Sequence, residues 1–155
     1  VLGLKEKYEA HKNPGLLHRA ISVVIFYEER KRMLLQKRAA NKPTWPLFWS
    51  NAVCTHPLPE EGYQEAAQRR LAEELGFSTP LTEAFRFTYQ AEYDDTWGEH
   101  EYDVVFIGEY GGVVNPNPSE AADVKWINLE ELEKDVAQSP NKYTPWFKII
   151  LRKLE

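Results

Sequence analysis

The run AISVVIFY, residues 20–27, constrains the fold more than any other stretch of this chain. It is apolar at almost every position and rich in β-branched and aromatic side chains, so it reads as a central strand buried on both faces. A strand of that kind needs cover above and below, which calls for a layered fold. After the charged turn EERKR, residues 33–38 (MLLQKR) predict a second strand. FRFTYQAEY (85–93) and EYDVVFIGEY (101–110) predict two long strands joined by DDTWGEH, and VKWINL (124–129) a short one. Asn41, Pro43, Trp45 and Pro46 mark 39–48 as an ordered loop.

Between these strands the periodicity changes. Ala67, Leu71 and Leu75 form an i, i+4, i+8 stripe flanked by Ala72, which predicts a helix over 63–75 closed by Gly76 as its C-terminal cap. EELEKDV predicts an acidic helix, and PWFKIILRKL an amphipathic one with Pro145 in its first turn. A chain of 155 residues with this order fits a single domain, residues 1–155, of the α+β or α/β class.

Charge narrows the partners. Nineteen basic against twenty-four acidic residues give a net charge of −5, with no Lys/Arg stripe able to track a phosphate backbone, so nucleic acid is not expected. A small anion remains possible, because a few placed cations overcome a modest global charge. No apolar run is long enough to span a membrane, and the first thirty residues lack a signal-peptide pattern. The lone cysteine fits a reducing compartment, so a cytoplasmic location is expected.

That cysteine, Cys54, stands two residues before His56 in NAVCTHP. By itself it could be apolar filler, a metal ligand or an acid/base. The histidines do not decide the matter. His11 and His18 are separated by Pro14–Gly15, and no HExxH-type spacing occurs. In GEHEY an extended backbone would turn Glu99 and Glu101 to one side and His100 to the other. On the 63–75 helix, Glu61, Glu65, Arg69 and Glu73 step by four, and Arg70 precedes Glu74 by four. The simplest account is an ion-pair ladder. Yet Glu73 and Glu74 lie in the last turn, where the helix dipole disfavours anions, and a divalent cation is an expected partner there. Trp45, Trp49 and Trp126 read as core, while Trp146 lies outside the main strands.

Five segments together resemble a known family: EKYEAH…LLHRAISV, LLQKRAANKPTWPLFWSNAVCTHP, RRLAEELG, GEHEYD and YTPWF. The chain is similar to type I isopentenyl diphosphate isomerase, a member of the Nudix superfamily, from about Lys5 to Trp146. Aligned on Gly76, the hydrolase form of the Nudix box is altered. Thr55 replaces its first Gly and Arg70 one of its Glu residues, while Glu61, Arg69, Glu73, Glu74, Gly76 and Phe77 match. The lost Glu weakens the alternative of a Nudix hydrolase; a non-catalytic Nudix binding module is a second alternative.

The resemblance implies a Nudix-like mixed sheet sandwiched between helices and an enzyme that moves a double bond in an isoprenoid diphosphate. It implies one divalent metal, Mn²⁺, Zn²⁺ or Mg²⁺, held by His11, His18, His56, Glu99 and Glu101. Cys54 and Glu101 would flank the alkene, with Tyr89 assisting Glu101. Glu74 would hold a Mg²⁺ bound with the substrate diphosphate, and Lys7, Arg38, Lys42 and Arg70 would meet its oxygens. Trp146 would lie against the five-carbon unit. A monomer and a homodimer are both compatible with it.

Overall fold

The structure, a computed structural model, describes residues 16–155. Seven strands form one sheet: β1 (His18–Tyr27), β2 (Arg32–Arg38), β3 (Trp49–Ser50), β4 (Val53–Thr55), β5 (Thr82–Glu92), β6 (Gly98–Glu109) and β7 (Ala121–Asn128). Among the described residues three α-helices accompany it: α1 (Tyr63–Leu75), α2 (Leu129–Gln138) and α3 (Pro145–Lys153). The order β3-β2-β1-β6-β5 puts β1 in the middle, with β6 parallel beside it and the β5–β6 hairpin antiparallel at the edge. This is an α+β arrangement with a mixed sheet.

The apolar run on β1 is covered on both faces. Ile21, Val23 and Ile25 pack with Leu71 and Leu75 of α1, whereas Val24 and Phe26 pack with Leu132 of α2 and with Phe147 and Ile150 of α3. The same alternation divides β6, with Val104 and Phe106 toward α1 and Val105 toward α3. Two cores therefore share one sheet, which is why the central strand could not show the polar–apolar alternation of a wetted strand. Full burial of one such aliphatic side chain contributes roughly 1.5–3 kcal/mol.

Helix α1 stops where its stripe stops. Gly76 takes the left-handed conformation (φ 74°), and its N–H bonds to the Ala72 carbonyl. A Cβ at Gly76 would stand 2.9 Å from the Asn115 carbonyl oxygen, so glycine is required both by the turn and by the close approach.

The sheet splits along β1, and this feature positions everything that follows. β2 pairs with β1 only at Phe26↔Met33 and Tyr27↔Arg32 and then diverges, while β4 takes its place at Ile21, Ser22 and Val23. Carbonyls stranded by the divergence find side-chain donors. Asn51 Nδ2 reaches the carbonyls of Val23 (3.2 Å) and Val53 (2.6 Å), and Gln36 Nε2 reaches that of Ala52 (2.7 Å). Both amides are buried, where an unmade hydrogen bond costs about 1–3 kcal/mol.

Several strand boundaries differ from the sequence reading, with β5 starting at Thr82 and β7 at Ala121, each earlier than expected. β1 begins at His18, and β6 begins at Gly98, so GEH belongs to a strand and not to the joining turn. The two- and three-residue strands β3 and β4 are additional, too short to carry a period of their own.

A candidate acid/base and metal centre

Strand register brings the singled-out residues together. The parallel β1–β6 pairing sets His18 opposite Glu101, and the antiparallel β5–β6 pairing sets Tyr89 opposite Glu101. Antiparallel β1–β4 pairing sets Cys54 opposite Ser22. The side-chain alternation that sends Val24 and Val105 toward α3 also sends His18, Ser22, Glu99, Glu101 and Asp103 to that face.

His18 Nε2 and His56 Nε2 lie 3.1 and 2.6 Å from the same Glu101 oxygen, and 3.2 Å from each other. With Glu99 included, the four ligand atoms lie within 4.8 Å of one another. His18 Nδ1 is 2.6 Å from the Leu16 carbonyl, which can only accept, so that nitrogen carries a proton and the ring is oriented with Nε2 inward, toward Glu101. Two imidazole nitrogens and a carboxylate oxygen thus converge. Atoms bound at about 2.1 Å to one ion at right angles stand about 3 Å apart, so the spacing and the mixed N/O donor set fit a divalent metal. The Leu16 carbonyl would serve as the orienting outer partner that metal-bound histidines ordinarily have. His100 is half-buried and outside the group, as the alternation requires.

Burial would raise the Glu101 carboxyl, but hydrogen bonds from His18 and His56 and their positive charge outweigh it and hold Glu101 well below the usual range. The Tyr89 hydroxyl donates to its other oxygen. Burial, reinforced by the charges of Glu101 and Asp103, pushes the Cys54 thiol well above its ordinary value. Burial next to Glu101 likewise raises Asp103, whose Oδ2 accepts from Ser22 Oγ at 2.7 Å. The site therefore offers a protonated thiol and an ionised carboxylate from strands on either side of β1.

Trp146, fully buried on α3, closes this face. Its ring centroid is 6.1 Å from that of Tyr89 and 5.6 Å from that of Trp45, and the Arg38 guanidinium lies 5.1 Å from it. Trp45 is core as expected, whereas Trp49 and Trp126 are only half-buried.

Arg70, Lys42 and Glu74 form a second group, at the α1 side of the split. Arg70 bonds Glu73 (2.8 Å), Glu74 (3.1 Å) and Glu120 (3.1 Å), and Lys42 bonds Glu120 (3.0 Å). Glu74, buried, also accepts from Gln36 at 3.2 Å. The carboxylates of the last turn thus have protein partners, and their placement against the dipole does not by itself demand a cation. His11 and Lys7 lie outside the described residues. Thr44, Ser22, Asp103 and Glu120 were not foreseen as parts of these groups. For Ser22 the signal was available: it is the one polar residue in the apolar run 20–26.

The rest of the ladder on α1 is structural. Arg69 grips Glu61 through two bonds (2.7 and 2.9 Å), and Glu61 also accepts from the Leu58 N–H. The Arg69 hydrogen bonds lower the Glu61 carboxyl to about 2, against a small opposing effect of burial. A depressed folded-state value stabilises the fold fully above pH ~4.5 and is lost as pH falls through about 2. Glu61→Gln is therefore expected to lower the thermal midpoint near neutrality and to converge with wild type as the pH approaches 2. A pH-independent difference between the two melting curves would contradict this pairing.

The profile of the NUDIX domain family matches residues 16–147. Among curated relatives, the isopentenyl-diphosphate Delta-isomerase of Nocardia farcinica is 46% identical over 145 residues, covering 92% of this chain and 82% of the relative. An isopentenyl-diphosphate Delta-isomerase 2 of Aromatoleum aromaticum is 43% identical, covering 94% and 76%. Among solved structures, a MutT protein of Methanosarcina mazei superposes with a TM-score of 0.71 at 19% identity, over 88% of this chain and 91% of that one. A MutT NUDIX hydrolase of Burkholderia pseudomallei gives 0.70 at 20% identity, over 90% and 98%. At those identities the structural likeness concerns the fold alone.

Proposed function

The chain belongs to the Nudix family and, within it, to the isopentenyl-diphosphate Delta-isomerases, and from that membership we propose how its residues interconvert isopentenyl and dimethylallyl diphosphate. The reaction adds a proton at one carbon of the five-carbon unit and removes one from another, with no net redox change. An unactivated alkene is a weak base, so positive charge develops at the tertiary carbon. Two positioned acid/base groups are needed, each within reach of its own carbon.

The observation that carries the reading is the placement of Cys54 and Glu101 on one face of the sheet, from strands β4 and β6 on either side of β1; burial favours the protonated thiol and the neighbouring histidines favour the ionised carboxylate. In one direction Cys54 delivers a proton and Glu101 receives one, with the Tyr89 hydroxyl stabilising the carboxylate. In the reverse direction the roles exchange, as microscopic reversibility requires. Trp146 presents an indole face to the developing cation, an interaction of about 0.5–2 kcal/mol, and with Trp45 it keeps out the water that would trap the cation as an alcohol.

His18, His56, Glu99 and Glu101 would hold one divalent metal, with His11 as a further candidate. When bound, the metal supplies charge that orients Glu101 and biases its protonation. The diphosphate would be gripped by Arg38, Lys42 and Arg70, with Lys7 a further candidate and Glu74 holding a Mg²⁺ that accompanies it. This remote grip holds the reacting end in place. The parent substrate class is implied by the relatives' names, and no helix among the described residues is long and apolar enough to cross a membrane.

Incubating the protein with isopentenyl diphosphate in D₂O and following the NMR spectrum tests the reading. Dimethylallyl diphosphate is expected to form, with deuterium in both the product and the recovered substrate. Release of inorganic phosphate or pyrophosphate without double-bond migration would instead favour a hydrolase.

A further inference from the structure

The loop 39–48, between β2 and β3, is held in a conformation that its residues do not favour. Trp45 and Leu47 both have positive φ, 46° and 64°, although each carries a bulky side chain. One residue clamps it. Arg38 Nε donates to the carbonyls of Thr44 and Trp45, both at 3.2 Å, and Nη2 to that of Thr44 at 3.0 Å. The Arg38 backbone closes the same loop, its N–H bonding Phe48 O (2.9 Å) and its carbonyl accepting from Leu47 N–H (3.1 Å).

The clamped segment touches the metal-ligand group. Thr44 is 2% exposed, and its hydroxyl donates to Glu99 Oε1 at 3.2 Å. A buried carboxylate that must ligate through one oxygen needs its other partner fixed, and Thr44 can do so only while the strained loop keeps its shape. Strained backbone persists where the surroundings over-determine it, and here the surroundings are the planar fork of Arg38.

We propose that Thr44, locked in place by the Arg38 fork, is a positioning residue that orients Glu99 as a metal ligand. Arg38 then links the diphosphate end of the site to its metal end through five residues of chain and one hydroxyl. The proposal rests on reading His18, His56, Glu99 and Glu101 as a metal centre.

Mn²⁺ titration of the metal-stripped full chain, followed by electron paramagnetic resonance, tests it without recourse to turnover. Thr44→Val is expected to weaken Mn²⁺ binding by about tenfold or more, and Thr44→Ser to retain wild-type affinity. Arg38→Lys keeps the charge but loses the fork, and is expected to show a loss similar to that of Thr44→Val. The double variant Arg38→Lys/Thr44→Val should be no weaker than the weaker single, because both break one relay. The metal-free circular dichroism of Thr44→Val should match wild type and its unfolding should stay cooperative, with no more destabilisation than one lost buried hydrogen bond causes, which separates ligand orientation from loss of the fold. Wild-type affinity in Thr44→Val, or fully additive losses in the double variant, overturns the proposal alone. A wild-type protein that binds no Mn²⁺ overturns the metal reading and the proposal with it.

Discussion

Replacing Cys54 by alanine should reduce isomerisation by about 10²–10⁴-fold, the range a positioned general acid or base contributes, while leaving the fold intact. Cys54 as a residue is half-buried, its thiol turned inward, and it packs against the α3-side core without belonging to the core's fully buried set. Its removal deletes one sulfur and leaves the β1–β4 pairing of Ile21, Ser22 and Val23 unchanged. The chemical loss is expected to be large because Ser22, opposite Cys54 on β1, and Asp103, a further strand away on β6, are engaged with each other. Circular dichroism and a denaturation midpoint near wild type, alongside a collapsed kcat, would meet the expectation. A variant with undiminished kcat would remove Cys54 from the mechanism altogether.

Stripping the protein with a chelator should lower activity by at least about 10²-fold, and added divalent metal should restore it. Two imidazole nitrogens and a carboxylate oxygen, 2.6 to 3.2 Å apart, direct electron pairs into one small volume. A cation relieves that repulsion; in its absence protons or a shifted Glu101 must do so, and in the proposed mechanism either change disturbs the group assigned to exchange the substrate proton. Because a metal that binds only the folded state stabilises it, by about 2.7 kcal/mol at a hundredfold excess over Kd, the stripped protein should also melt earlier. Equal rates and equal melting curves before and after verified metal removal would eliminate the metal from both roles.

Much of the frame was legible in the linear order of residues. The unbroken apolar run on β1 announced a central strand with cover on both sides, and the four-residue stripe on α1 ended at the glycine that caps it. Those features are local: they depend on period, burial and one backbone conformation. β3 and β4 were not legible because two or three residues contain no period, and their pairing is set by the divergence of β2 from β1. Glu74 shows the opposite limit. Its position against the helix dipole suggested a missing cation, yet Gln36 and Arg70 already meet it, and Gln36 lies thirty-eight residues away in sequence.

By itself the sequence determined the strand and helix types, the shared side of Glu99 and Glu101, and the shared side of Cys54 and His56 in an extended segment, since side-chain direction follows backbone period. Only the tertiary structure decided that His18, His56, Glu101 and Tyr89 meet, because their meeting is a matter of register between β1, β4, β5 and β6, with His56 directly following β4. It likewise decided the protonation of the pair at the centre. Burial and nearby carboxylates push the Cys54 thiol up, while His18 and His56 hold the Glu101 carboxyl down against burial, and no reading of CTH or GEHEY along the chain contains those neighbours.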